Sequence, residues 1–148
     1  MRIYLDMCCY NRPYDDQSQL KVMMEAQSKL YIQMQVRQGN IELTGSYVLD
    51  YECGNNPFEM RRNAIEEFMT EYVTHYVGAE RADNLKKKAE EIMNTGVKEM
   101  DAYHVAAAIL AKCDYFITTD KRLLKYQTDE VRMVTPITFI TETEDDLR

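Results

Sequence analysis

Short apolar runs alternate with longer amphipathic stretches along nearly the whole chain, and that alternation admits few folds. Residues 2–6 read as a short buried strand, Ile3-Tyr4-Leu5 leading into Asp6. Residues 18–37 place Leu20, Met23, Met24, Tyr31 and Met34 at the spacing of one helical face. Ile41 and Leu43 alternate with polar neighbours, which predicts a strand to about Ser46, and a short helix starting near Tyr47 holds Glu52. Gly54-Asn55-Asn56-Pro57 is a turn, with Pro57 suited to a first helical turn. Ile65, Phe68, Met69, Tyr72 and Val73 then follow a helical repeat. Ala82, Leu85, Ala89, Ile92 and Met93 do the same, and Gly96 is a natural stop. Asp101 to Lys112 predicts a third such helix, whose alanines 106–108 suit close packing against a sheet. Residues 115–118 read as a buried strand, 120–126 as a short helix and 131–135 as a last strand. The expectation is an α/β fold, with a central parallel sheet of about four to five strands covered on both faces.

Four acids stand at the edges of these elements. Asp6 closes the first apolar run, Glu52 follows Tyr47-Val48-Leu49, Asp101 opens the alanine-rich helix, and Asp120 closes Tyr115-Phe116-Ile117. Sites in open parallel sheets form outside the carboxyl ends of the strands. Asp6 and Asp120 belong at such ends. Carboxylates gathered from over a hundred residues of chain repel one another unless a cation offsets the charge. Hard divalent ions bind such oxygens, so the pattern points to a Mg²⁺ or Mn²⁺ site and to phosphoryl chemistry. Each acid also has a plainer reading. Asp101 and Asp120 precede helices, where Asp is a favoured cap or first-turn residue. Asp6 can close a turn, and Glu52 can be an exposed helix residue.

Other polar residues near the acids are candidates for support. His104, three residues after Asp101, can orient a carboxylate or contact phosphate, or serve as a structural hydrogen-bonding group. Thr118 and Thr119 precede Asp120, and Asn11 and Arg12 follow Asp6 in a polar loop. Arg12, Lys98, Lys121 and Arg122 are candidate contacts to the phosphates of a nucleic-acid backbone. Their plainer reading is solvated surface charge.

The chain has 148 residues, enough for one domain with a sizeable core. Residues 1–140 are expected to form it. Residues 141–148 (TETEDDLR), with four acids, are expected to be a frayed acidic tail. The net charge of −7, from 18 basic and 25 acidic residues, argues against a broad electrostatic grip on nucleic acid and leaves a local one open. No C-x-x-C pair occurs among Cys8, Cys9, Cys53 and Cys113, which read as small reduced core residues. No run approaches the roughly 18–20 apolar residues of a membrane helix. The N-terminus meets a charge too early for a signal peptide, so no membrane partner and a cytoplasmic location are expected.

Taken in order, four segments resemble the PIN-domain family of metal-dependent ribonucleases. They are Ile3-Tyr4-Leu5-Asp6, Ser46 through Glu52, Asp101-Ala102-Tyr103-His104-Val105-Ala106-Ala107-Ala108, and Asp114-Tyr115-Phe116-Ile117-Thr118-Thr119-Asp120-Lys121. Thr135-Pro136-Ile137-Thr138-Phe139-Ile140 is similar to the family's last strand and Pro-x-x-Phe finish. The resemblance implies a three-layer α/β/α sandwich, with Asp6, Glu52, Asp101 and Asp120 as the acidic quartet. It also implies RNA as substrate with Mg²⁺ or Mn²⁺. Many members are toxins of VapC-type toxin–antitoxin pairs, which implies a homodimer silenced by a small antitoxin partner. Met7 and Cys8 stand where many members carry Thr and then Asn or Ser, so a hydroxyl or amide contact is expected to be missing.

Two other readings compete. A haloacid-dehalogenase-type phosphatase also carries Asp after its first strand. That chemistry needs a second carboxylate two residues on, where Cys8 stands. A PIN-like fold used only as a protein-interaction module fits the net charge of −7 and the Met7-Cys8 departure.

Overall fold

The structure, a computed structural model, describes residues 1–147. Five strands form one sheet: β1 Arg2–Leu5, β2 Glu42–Ser46, β3 Val73–Val77, β4 Tyr115–Ile117 and β5 Arg132–Val134. The helices among the described residues are α1 Met7–Asn11, α2 Leu20–Arg37, α3 Tyr47–Gly54, α4 Glu59–Tyr72, α5 Ala82–Met93, α6 Glu99–Leu110 and α7 Pro136–Thr143. All neighbouring strands run parallel, in the order β3-β2-β1-β4-β5.

That order follows from what the strands contain. Ile3, Tyr4 and Leu5 of β1 are buried one after another, as are Phe116 and Ile117 of β4. Side chains on successive residues point to opposite faces, so both faces of the sheet need cover. Helices supply it, with α2 packed on α7 and α5 packed on α6. Ala102, Ala106, Ala107 and Ala108 of α6 are fully buried, which lets that helix approach closely.

The chain steps outward from β1 to β2 and β3, then returns to add β4 and β5 on the other side. Strand order therefore reverses between β1 and β4. A crevice opens there at the carboxyl ends, where open α/β sheets place ligand sites. Register brings the two segments level: Leu5 pairs with Ile117, and the Asp6 N–H donates to the Ile117 carbonyl at 2.9 Å.

Several elements differ from the sequence expectation. The periodic run through Val73 ends one residue earlier, and Val73–Val77 is an edge strand. Gly45 makes room for it, since a Cβ there would stand 3.1 Å from both Val73 methyls. The loop after Asp6 is the one-and-a-half-turn helix α1 followed by a 3₁₀ turn at Arg12–Tyr14. The short helix expected over 120–126 is only a 3₁₀ turn at Leu123–Lys125. Helix α6 begins at Glu99, so Asp101 lies inside its first turn.

On α2 the buried face is the opposite of the expected one. Val22, Ala26, Ile32 and Val36 are buried together with Glu25, Lys29 and Gln33, while Leu20, Met24, Leu30 and Met34 are exposed. The C-terminal segment is also more ordered than expected. Helix α7, capped by the Thr135 hydroxyl on the Thr138 N–H, crosses residue 140 and runs to Thr143, which is buried. Leu147 packs partly against the core, and Arg148 lies outside the described residues.

Candidate metal centre

Asp6 is only 5 % exposed, at the N-cap of α1. Its Oδ1 accepts the Met7 N–H at 2.9 Å, and its Oδ2 accepts the Thr118 hydroxyl at 2.8 Å. The Cys8 thiol donates to the same Oδ2 at 3.4 Å. Burial pushes the Asp6 carboxyl above its usual range, against the pull of His104 and the Thr118 hydrogen bond.

Glu52 reaches the same place from α3. That helix begins where Ser46 ends β2, with the Ser46 hydroxyl accepting the Leu49 N–H at 3.0 Å. A ligand atom from each of Asp6, Glu52 and His104 lies within 4.8 Å of the other two. Both His104 nitrogens are already engaged, Nε2 with Glu52 Oε2 at 2.8 Å and Nδ1 with the Tyr4 hydroxyl at 2.7 Å. Tyr4 in turn meets Ser46 Oγ at 2.8 Å. Burial alone lowers the basicity of His104. The Glu52 hydrogen bond and the charges of Asp6, Glu52 and Asp101 outweigh it and raise the pKa. A protonated imidazole gives the chain one polarity, donating to Glu52 and to the Tyr4 oxygen, with Tyr4 donating to Ser46. His104 thus orients Glu52 and offsets charge, the structural role that the sequence left open.

Asp101 and Asp120 stand outside that tight trio. Asp101 is half-buried. Burial first, and then the charges of Asp6 and Asp120, raise its pKa. Asp120 Oδ1 accepts the Arg122 and Leu123 N–H groups at 2.9 and 3.2 Å, so its capping reading is realised on one oxygen. The charges of Asp6, Asp120 and Glu52 all reach Asp101, so the four acids share one electrostatic neighbourhood.

The supporting candidates divide. Thr118, rather than Thr119, touches Asp6, while Thr119 sends its backbone N–H to Cys8 Sγ at 3.4 Å. No hydroxyl or amide stands at Met7 or Cys8, as expected, but the Cys8 thiol donates to Asp6 in its place and also lies 3.3 Å from Thr118 Oγ1. Asn11 accepts from Asn56 and shares a shallow cleft with Glu52 rather than touching an acid. Arg12 is held by Asp15 at 3.0 Å and by buried Glu25 at 3.1 Å, which turns it from a backbone-contact candidate into an internal ion pair. Lys98 and Arg122 line one cleft of about 450 Å³ with Asp101, joined by Lys125, which the sequence reading had not singled out. Lys121 is exposed beside Asp120. On the Glu52 side, Arg61 lines a second cleft, its guanidinium 4.1 Å from the Phe58 ring centroid.

No family model and no curated protein matches the sequence. Solved structures do match. One is a chain in the crystal structure of VapBC2 from Rickettsia felis bound to a DNA fragment from their promoter, at a TM-score of 0.54 and 12 % identity. The alignment covers 90 % of this chain and 97 % of that one. What the two share is the fold. The five-stranded parallel sheet flanked by helices is the α/β architecture that the PIN resemblance implies. No helix among the described residues is long and apolar enough to cross a membrane.

Proposed function

We propose that this chain is a Mg²⁺- or Mn²⁺-dependent endoribonuclease that hydrolyses RNA phosphodiesters, and that it is the toxin of a toxin–antitoxin pair. One observation carries the reading: buried Asp6 meets Glu52 at the reversal of strand order, beside Asp101, whose pKa is raised by burial and then by the charges of Asp6 and Asp120. The donor set is carboxylate oxygens, crowded enough to favour a counter-cation, which fits a hard divalent ion. Asp6, Glu52, Asp101 and Asp120 would hold it. When bound, such an ion supplies Lewis-acid stabilisation of a phosphoryl oxygen and an activated water.

The chain's own residues do the rest. Thr118 and Cys8 fix the Asp6 carboxylate, and His104 fixes Glu52. Lys98, Arg122 and Lys125 offer cations along one approach to Asp101. Arg61 with Phe58 offers a stacking surface along the other, suited to an unpaired base. Local cations of this kind suit a substrate held at one place and answer the overall negative charge. A homodimer and a small antitoxin complete the proposal, and the exposed Leu20, Met24, Leu30 and Met34 of α2 are adaptable apolar surface for one of them.

A non-catalytic interaction module is the second reading, and the net charge of −7 favours it. The Met7-Cys8 departure favours it less, because the Cys8 thiol donates to Asp6 where a hydroxyl or amide is lacking.

The test is incubation of purified protein with mixed RNAs and Mn²⁺, with EDTA and an Asp120→Asn protein as controls. Cleavage by activated water leaves a 5′-phosphate and a 3′-hydroxyl. Asp120→Asn is expected to lose about 10²-fold or more. Cleavage that persists in EDTA, or products ending in 2′,3′-cyclic phosphate, would overturn the reading.

A further inference from the structure

Away from the acids, a cleft of about 410 Å³ opens between α2 and α4, with Tyr10 of α1 at its base. It shares no lining residue with the acidic neighbourhood. Its size is that of a small-molecule site. Its apolar walls include Leu30, Ile65, Phe68 and Tyr72.

Polar groups in it lack partners. Lys29 is 5 % exposed and has no hydrogen bond or ion pair among the described residues, only the Tyr10 ring face 5.5 Å away. The Tyr10 hydroxyl and Gln33 Oε1 are buried and unbonded. The Lys29 ammonium keeps some contact with solvent at the cleft but is largely desolvated, which is costly without a counter-charge, and so is each buried unmet polar atom. These three converge from α1 and two successive turns of α2. The pattern is that of a site awaiting an acceptor. The ammonium and the phenol O–H both donate, and the Gln33 amide donates once rotated to present its NH₂.

We propose that this cleft binds a small organic acid with a single carboxylate on an apolar body, its carboxylate seated on Lys29, Tyr10 and Gln33. Lys29 is the one buried cation among the lining residues, Arg37 being exposed like Glu67 and Glu71, which matches one negative charge. Glu67 and Glu71 also line the cleft and disfavour a dianion such as phosphate. Arg37 lies over Phe68 and Tyr72, 5.4 and 5.9 Å from their centroids, and closes the apolar wall. Burial, opposed by Cys9 and aided by Arg37, pushes Lys29 down to about 8, which a bound carboxylate reverses.

The test uses the full chain with sodium hexanoate and sodium benzoate as probes, and benzyl alcohol and inorganic phosphate as controls. Melting temperature and backbone amide NMR shifts at Tyr10, Lys29 and Ile65 are the readouts. Both acids are expected to raise the melting temperature and shift those amides, with little effect from either control. Lys29→Met is expected to weaken binding about tenfold or more. Ala64 is exposed on the cleft wall, so Ala64→Trp should fold and block the cleft with Lys29 intact. No response to either acid at tens of millimolar overturns the proposal. So does an equal response to benzyl alcohol, or unchanged binding in the Ala64→Trp protein.

Discussion

The Cys8 thiol donates to Asp6 Oδ2 at 3.4 Å, alongside the Thr118 hydroxyl that donates to the same oxygen at 2.8 Å. Two donors from α1 and from the end of β4 thus hold one buried carboxylate oxygen. Replacing the thiol by a hydroxyl keeps the donor, and replacing it by an isopropyl group removes it. Cys8→Ser should stay within about 0.5 kcal/mol of the parent, and Cys8→Val should lose about 1 kcal/mol. Urea unfolding measures both, and Mn²⁺ titration should rank the Val protein as the weaker binder. Identical Mn²⁺ affinities would show that the thiol does not position Asp6.

Tyr4 links β1 to two other elements through one oxygen, which meets Ser46 Oγ and His104 Nδ1. Tyr4→Phe keeps the ring stacked on Phe116, 5.3 Å between centroids, and removes only the hydroxyl. It leaves a buried imidazole nitrogen without its partner. A loss of about 1–3 kcal/mol is expected, with a weaker hold on Glu52. Chemical denaturation reads the first effect. A loss of Mn²⁺ affinity larger than the Cys8→Ser protein shows reads the second, and its absence would confine Tyr4 to the core.

Divalent ions should stabilise the protein, because they bind a carboxylate cluster that exists only when folded. Millimolar Mn²⁺ at tens to hundreds of Kd should add roughly 1–3 kcal/mol. Burial raises both Asp6 and Asp101, so protons compete with the ion and the effect should fade as pH falls. The same shift in an Asp6→Asn/Asp101→Asn protein would place the ion elsewhere.

Much of this architecture was legible in the chain because β1 and β4 are buried on both faces and read as unbroken apolar runs. Edge strand β3 was not. Val73, His75 and Val77 alternate with exposed Thr74 and Tyr76, and Val73 also continues the helical repeat of α4. Helix α1, with five residues, is too short to show a helical period. The face of α2 was misread because Glu25, Lys29 and Gln33 lie on its buried side, so composition pointed outward. At the site, Asp6 and Asp120 were visible as residues that follow strands, and Glu52 and Asp101 as acids near the starts of helices. Thr118 and His104 were visible as candidates, but their partners Asp6 and Tyr4 were not, since those contacts depend on the register of β1 against β4 and on the packing of α6. A sequence shows spacing along a strand and is silent on register between strands.

Lys29 offers a test that needs no ligand. Its pKa falls from 10.5 to about 8 because burial disfavours the ammonium. Between those values the unfolded chain binds a proton that the folded chain has released, so this group makes stability rise with pH. Below about 8 the penalty is fully present. Cys53 and Cys113 act in the opposite sense, since burial raises both to about 11 and the unfolded thiols ionise first. The contribution of Lys29 is therefore isolated by comparison with Lys29→Met. The Met protein should be the more stable one near pH 7, and its advantage should shrink by about 1–3 kcal/mol on reaching pH 10. Urea unfolding at a series of pH values measures the difference. An advantage that stays constant over that range would mean that Lys29 keeps its proton and has found a counter-charge.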